Sequence, residues 1–138
     1  MKEDEAERDR DMESIRKSEE KFRTIFDHTN DAMFVHDLNG KMLEVNLVAC
    51  ERLGVTREEL LQMTLIDIDS PEHAELVPER MHQLITKNYH IFETCHVRKD
   101  KSRIPTEISA RMIEYNGQPA ILSIARDITE RKRVEEAL

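Results

Sequence analysis

The chain has 138 residues, enough for one ordinary domain, with 36% charged residues, 38% hydrophobic residues and a net charge of -8. Residues 1–20 hold nine acids against five bases, so half of that excess lies near the start. There is no basic cluster, no apolar run near the roughly 18 residues of a membrane span and no signal-peptide pattern. Nucleic-acid binding, membrane contact and secretion are therefore disfavoured, and a cytoplasmic setting is expected.

In chain order, the first segment is charged with sparse apolar positions. Met12, Ile15, Phe22, Ile25 and Phe26 follow a near-heptad stripe, which predicts a helix over about residues 5–28. Its first half has little to bury alone, so a partner helix is expected, and Met12, Ile15, Phe22 and Phe26 are the candidate homodimer contacts. "AMFVHDLNGKMLEV" (32–45) predicts a hairpin turning at Asn39-Gly40. Asn46 reads as the N-cap of a short helix closed by Gly54, and Thr56 with Glu59 as a capping box for the next. Ser70-Pro71 starts another helix. After Pro78, a helix carries Val77, Met81, Leu84 and Ile85 on one face.

From Tyr89 the hydrophobic period changes from helical to two. Three strands follow: one around "YHIFETCHV", one around "RIPTEISARMI" with Ile104, Thr106, Ile108, Ala110 and Met112 on one face, and "PAILSIAR" after Asn116-Gly117. Short links make neighbouring strands antiparallel, so the order of elements predicts an α+β fold with helices on one face of a sheet. The last stretch, "ILSIARDITERKRVEEAL", joins a strand to a charged helix with no glycine or proline between them. Asp127 or Thr129 is placed to cap that helix, and Val134 and Leu138 lie one turn apart on it.

Enzyme signatures are missing from the sequence. Its three glycines, at 40, 54 and 117, form no phosphate loop, and no G-x-S-x-G elbow or cysteine nucleophile motif occurs. Cys50 and Cys95 sit singly in apolar segments and read as reduced core residues. No metal-ligand spacing is present. His90 and His96 share a strand face but stand about 20 Å apart at about 3.4 Å per residue, too far for one ion.

"SEEKFRTIFDHTNDAMFVHDLNGKMLEVN" (18–46), "RKDKSRIPTEIS" (98–109) and "RDITERK" (126–132), in that order and spacing, resemble a PAS domain of a prokaryotic signalling protein such as a sensor histidine kinase. The resemblance spans about residues 18–132. It implies a five-stranded antiparallel sheet with short helices on one face, flanked by N- and C-terminal signalling helices. The division it suggests is a flanking helix over 1–19, the PAS domain over 20–126 and an output helix from 127 to 138, with an effector such as a histidine kinase beyond. Asp127, Ile128 and Thr129 match the family's junction between last strand and output helix and are the candidate relay residues. One departure stands out: Lys101 replaces the usual glycine of the "R-K-D-G" turn, which implies either another turn geometry or a positive φ costing about 1 kcal/mol.

Such domains often hold a ligand between sheet and helices. The candidate lining here is Phe34, His36, Leu53, Leu65, Met81, Ile85, Ile108, Met112, Leu122 and Ile124, apolar except for His36, which suits a small organic molecule. A ligand-free dimerisation and relay module with a filled core is the alternative, and a haem or flavin sensor a more distant one. His82 should turn away from the apolar stripe, and neither it nor His73 falls on the haem branch's ligand position, near Leu76. The flavin branch's cysteine is missing from residues 60–68, and there is no tryptophan. The cofactor, if any, stays unassigned.

Overall fold

A computed structural model describes residues 2–138, so the first residue of the 1–19 segment lies outside the described residues. The elements run α1 (Lys2–Asp27), β1 (Ala32–His36), β2 (Met42–Val45), α2 (Leu47–Leu53), α3 (Arg57–Leu61), α4 (Leu65–Ile68), α5 (Pro71–Ala74), α6 (Val77–Lys87), β3 (Tyr89–Val97), β4 (Arg103–Tyr115), β5 (Gln118–Asp127) and α7 (Thr129–Ala137). The strands form one antiparallel sheet in the order β2-β1-β5-β4-β3. Helices α2 to α6 cross over between β2 and β3, at opposite edges of the sheet. The core lies between that helical layer and the inner sheet face. This is the expected α+β arrangement.

Local signals account for the connections. Gly40 takes φ +86° in the β1–β2 turn, while the Asp37 carboxylate accepts the amides of Asn39 and Lys41, each at 2.9 Å. Asn116 and Gly117 both adopt positive φ at the β4–β5 turn. Lys101 does carry the positive φ, +74°, with its amide on the Arg98 carbonyl at 2.9 Å. The capping box of Thr56 and Glu59 is formed, and Gly54 closes α2 at φ +74°.

Asn46 does more than cap α2. Its Oδ1 accepts from Ala49 N at 3.0 Å and Met33 N at 2.9 Å, and its Nδ2 donates to Phe26 O, Thr29 Oγ1 and Asp31 O. One fully buried side chain thus ties α1, β1 and α2 together. Glu44 on β2 adds a second tie, accepting from Arg23 of α1 at 3.2 Å and from Arg57 of α3. Burial pushes the Glu44 carboxyl up. The two guanidinium partners outweigh that and leave it below the ordinary carboxylate range.

Two expectations need correction here. Phe26, placed among the dimer contacts, is buried within the chain and stacks on Phe22 at 5.2 Å. Its position begins the domain core, whereas Met12, Ile15 and Phe22 stay exposed. Leu122 and Ile124 lie on the outer sheet face. β5 turns Ile121, Ser123 and Ala125 inward, opposite Met112, Ala110 and Ile108 of β4. Past Ile121 the inner face of β5 carries only the small Ser123 and Ala125.

Candidate functional site

Between the inner sheet face and the helical layer lies a cavity of about 40 Å³. The sheet supplies Phe34 and His36 from β1, Phe92, Thr94 and His96 from β3, Ile108 and Ala110 from β4 and Ser123 from β5. The helical side supplies Leu65, Ile68, Asp69, Val77, Arg80, Met81 and Leu84. Of the ten sequence candidates, Phe34, His36, Leu65, Met81 and Ile108 meet here. Leu53 is buried in the core and Met112 packs against it, both outside the cavity lining. Ile85 is exposed. The inward stripe of α6 runs Val77, Met81, Leu84, and position 85 is turned about 100° from 84.

His36 is nearly sealed from water. Its Nδ1 faces the Asp37 carbonyl at 3.0 Å, an acceptor only, so Nδ1 carries the proton. Burial holds the ring below its ordinary pKa and thus neutral. Nε2 then accepts from the Ser123 hydroxyl at 3.3 Å. This bond links β1 to β5 within the cavity wall.

Sequence reasoning missed a polar cluster on the other side. Asp69, just past α4, accepts the Thr94 hydroxyl at 2.9 Å, and the helical layer is tied to β3 by Ser70 N donating to Cys95 O at 2.8 Å. Burial raises the Asp69 carboxyl to about 6 and lowers the His96 imidazole to about 4. They stand 3.6 Å apart, and burial favours the uncharged form of each. Arg80 lies over the Phe92 ring at 4.3 Å and donates through Nη2 to Glu93 O and His73 Nδ1, each at 3.0 Å. The period-two pattern of β3, with Phe92, Thr94 and His96 on one face, carried the signal for two of these residues. No pattern in the chain announces that Asp69 and Arg80 converge on them.

Beyond Ser123, β5 runs on to the exit to α7. Ile128 is buried, its amide donates to Pro105 O at 3.0 Å, and its carbonyl accepts Lys132 N at 2.9 Å. Asp127 Oδ1 accepts the Thr129 amide at 2.9 Å and the Thr129 hydroxyl, which holds Asp127 below the ordinary carboxylate range despite partial burial. The first turn of α7 also reaches the sheet. Arg131 meets Glu93 at 2.8 Å and Glu107 at 3.1 Å, and Lys132 meets Glu93 at 2.9 Å. Glu93 therefore touches Arg80 through its backbone and α7 through its side chain.

A family model described as the PAS fold matches residues 20–128. The chain belongs to the PAS family of sensory domains. It is 40% identical over 126 residues to the methyl sulfide methyltransferase-associated sensor of Methanosarcina acetivorans, covering 91% of this chain and 13% of that protein. It is 29% identical over 141 residues to sporulation kinase E of Bacillus subtilis, covering 96% and 18%. The chain thus spans less than a fifth of the curated relatives it matches. Among solved structures, a PAS domain of an HTR-like protein from Haloarcula marismortui superposes with a TM-score of 0.80 at 25% identity, over 87% of this chain and 99% of that one. A PAS domain from a two-component sensor histidine kinase gives 0.70 at 24%, over 80% and 97%. The PAS fold is a sensory one, found in signal-transduction proteins that include kinases.

Among the described residues, no helix is long and apolar enough to cross a membrane, and no group of three or more His, Cys, Asp or Glu could hold a metal ion. His82 is exposed on α6, as its offset from the apolar stripe implies.

Proposed function

We propose that this PAS domain is the input module of a larger cytoplasmic signalling protein. A small molecule binds between sheet and helices, and the response passes through Asp127, Ile128 and Thr129 to an effector, such as a histidine kinase, joined after α7. The observation that carries this reading is the dual role of β5. Ser123 on β5 lines the cavity, and five residues later Ile128 seats the first turn of α7 against β4. A wall that moves when a ligand enters has no slack to absorb the motion before the helix begins. A thermal-shift screen of the purified chain against a broad metabolite panel tests the input half. In the parent protein, Asp127→Ala and Thr129→Ala test the output half: the protein folds, and its output no longer follows its input. Output that still follows input in both variants overturns the relay.

A second reading is favoured by the small cavity and by the exposed stripe of Met12, Ile15 and Phe22 on α1. In it the domain is a ligand-free parallel dimer that passes on a signal arriving through α1. Removing residues 1–20 then weakens association at micromolar concentration. Unchanged dimerisation on sedimentation removes that role from the helix.

A further inference from the structure

Arg80 is a cation in the cavity wall that the Asp69 carboxylate of the same wall acts on only through space, without a direct ion pair. Guanidinium has five N–H donors and no acceptor. Nη2 is used on Glu93 O and His73 Nδ1, while Nη1 is buried with no hydrogen-bond partner. Among the described residues no carboxylate forms an ion pair with Arg80. Asp69, the carboxylate of the same wall, takes the Thr94 hydroxyl instead. The Phe92 ring offsets part of the charge on one face. A buried cationic donor with no acceptor is costly, and an acceptor from outside the chain would relieve that cost once α6 gives it access.

We infer that the cavity takes a small monocarboxylate of one or two carbons, its carboxylate on Arg80 and its carbon end among Phe34, Leu65, Met81 and Ile108. The inference rests on the sensory reading above and names the ligand class. Size sets the first limit, since about 40 Å³ holds roughly three or four non-hydrogen atoms. Chemistry sets the second: the unpartnered Nη1 is a charged donor that suits a carboxylate oxygen, and most of the remaining wall is apolar. A phosphate dianion is larger and doubly charged, so the Asp69 carboxylate in the wall opposes it more strongly than a monocarboxylate. Nη1 is sealed from water in the closed form, so α6 must shift to admit the ligand. Glu93 feels that shift directly, because it holds Arg80 on one side and Arg131 and Lys132 of α7 on the other.

The test is a titration of the full 138-residue chain with sodium formate and sodium acetate. Sodium chloride at equal ionic strength and the matching amides serve as controls. Thermal shift reports binding, and the ¹H–¹⁵N resonance of Arg80 Nε reports its place. A saturable rise in Tm is expected with at least one carboxylate and with none of the controls, together with a shift of the Arg80 resonance. In Arg80→Gln the affinity falls at least about tenfold, the equivalent of about one charge-assisted hydrogen bond. The wild-type Arg80 resonance decides the question even if that variant folds poorly. Binding unchanged in Arg80→Gln, amides that bind as well as carboxylates, or no carboxylate response overturns the ligand class. If a different metabolite then binds in the cavity, the sensory reading survives. If nothing in the wider panel binds, that reading falls as well.

Discussion

The helices at the two ends of the chain, α1 and α7, are both highly charged and mostly exposed, yet they join the domain by different means. α1 is held only by its last turns, through Phe26, the Asn46 hub and the Arg23–Glu44 pair, while residues 4–21 touch little else of the chain. α7 is held by its first turn, through buried Ile128, the Asp127 carboxylate and the fan of Arg131 and Lys132 onto Glu93 and Glu107. The comparison teaches that an end helix is mechanically part of a domain only as far as its junction is packed. α7 follows directly on the strand that supplies Ser123 to the cavity wall, whereas most of α1 projects away with an exposed apolar stripe.

The strongest way to break this contrast is Ile128→Ala. Truncating a buried branched side chain costs about 3 kcal/mol, and the loss should appear both as a lower Tm and as faster amide exchange at the start of α7. Asn46→Ala is its counterpart at the other end. It orphans several buried groups at a cost of about 2 kcal/mol, loosening the last turn of α1 and leaving α7 protected. Denaturant melts with exchange readout separate the two variants. Asp127→Ala removes the acceptor for Thr129 and costs about 1 kcal/mol, small enough for the domain to stay folded while the junction frays. Deleting residues 1–20 sharpens the contrast at its weak end: the denaturation midpoint of the remaining domain should not move, because residues 4–20 bury almost nothing within the chain.

The cavity supplies a control that neither end should affect. Unfolded Asp69 and His96 titrate near 3.8 and 6.5, and in the fold they move to about 6 and about 4. Between pH 4 and 6 the folded pair holds one proton on Asp69, and the unfolded pair holds one on His96. Their contributions to the pH dependence of stability therefore offset. Asp69→Asn leaves only His96, whose unfolded form binds the extra proton. Relative to the native chain, this variant should gain stability as pH rises across that window, a trend that urea melts at several pH values would reveal.

Much of the fold was legible in the sequence because its signals are local. The turn at Asn116-Gly117, the capping box at Thr56 and the period-two strands each depend on residues within a few positions of one another. The strained Lys101 was legible too, as a departure from the glycine that the resemblance leads one to expect. The cavity was half legible. Alternation placed Phe34, His36 and Ile108 correctly. On β5 the sequence offered Leu122 and Ile124 as lining, while the inner face carries Ile121, Ser123 and Ala125. Asp69 and Arg80 could not be read at all, because what brings them to Thr94 and Phe92 is the path of three short helices across the sheet. Asn46 was read as a cap, and its four further hydrogen bonds come from segments that only the fold brings near.

The most direct test of the whole account is amide hydrogen exchange along residues 118–138 of the chain at neutral pH. If β5 and α7 form one lever, Ala125, Ile128 and Lys132 should all be protected, well above residues 4–21 in α1, with only the unpaired first-turn amides of Glu130 and Arg131 exchanging fast. Exchange at Ile128 and Lys132 as fast as in those first turns of α1 would contradict it.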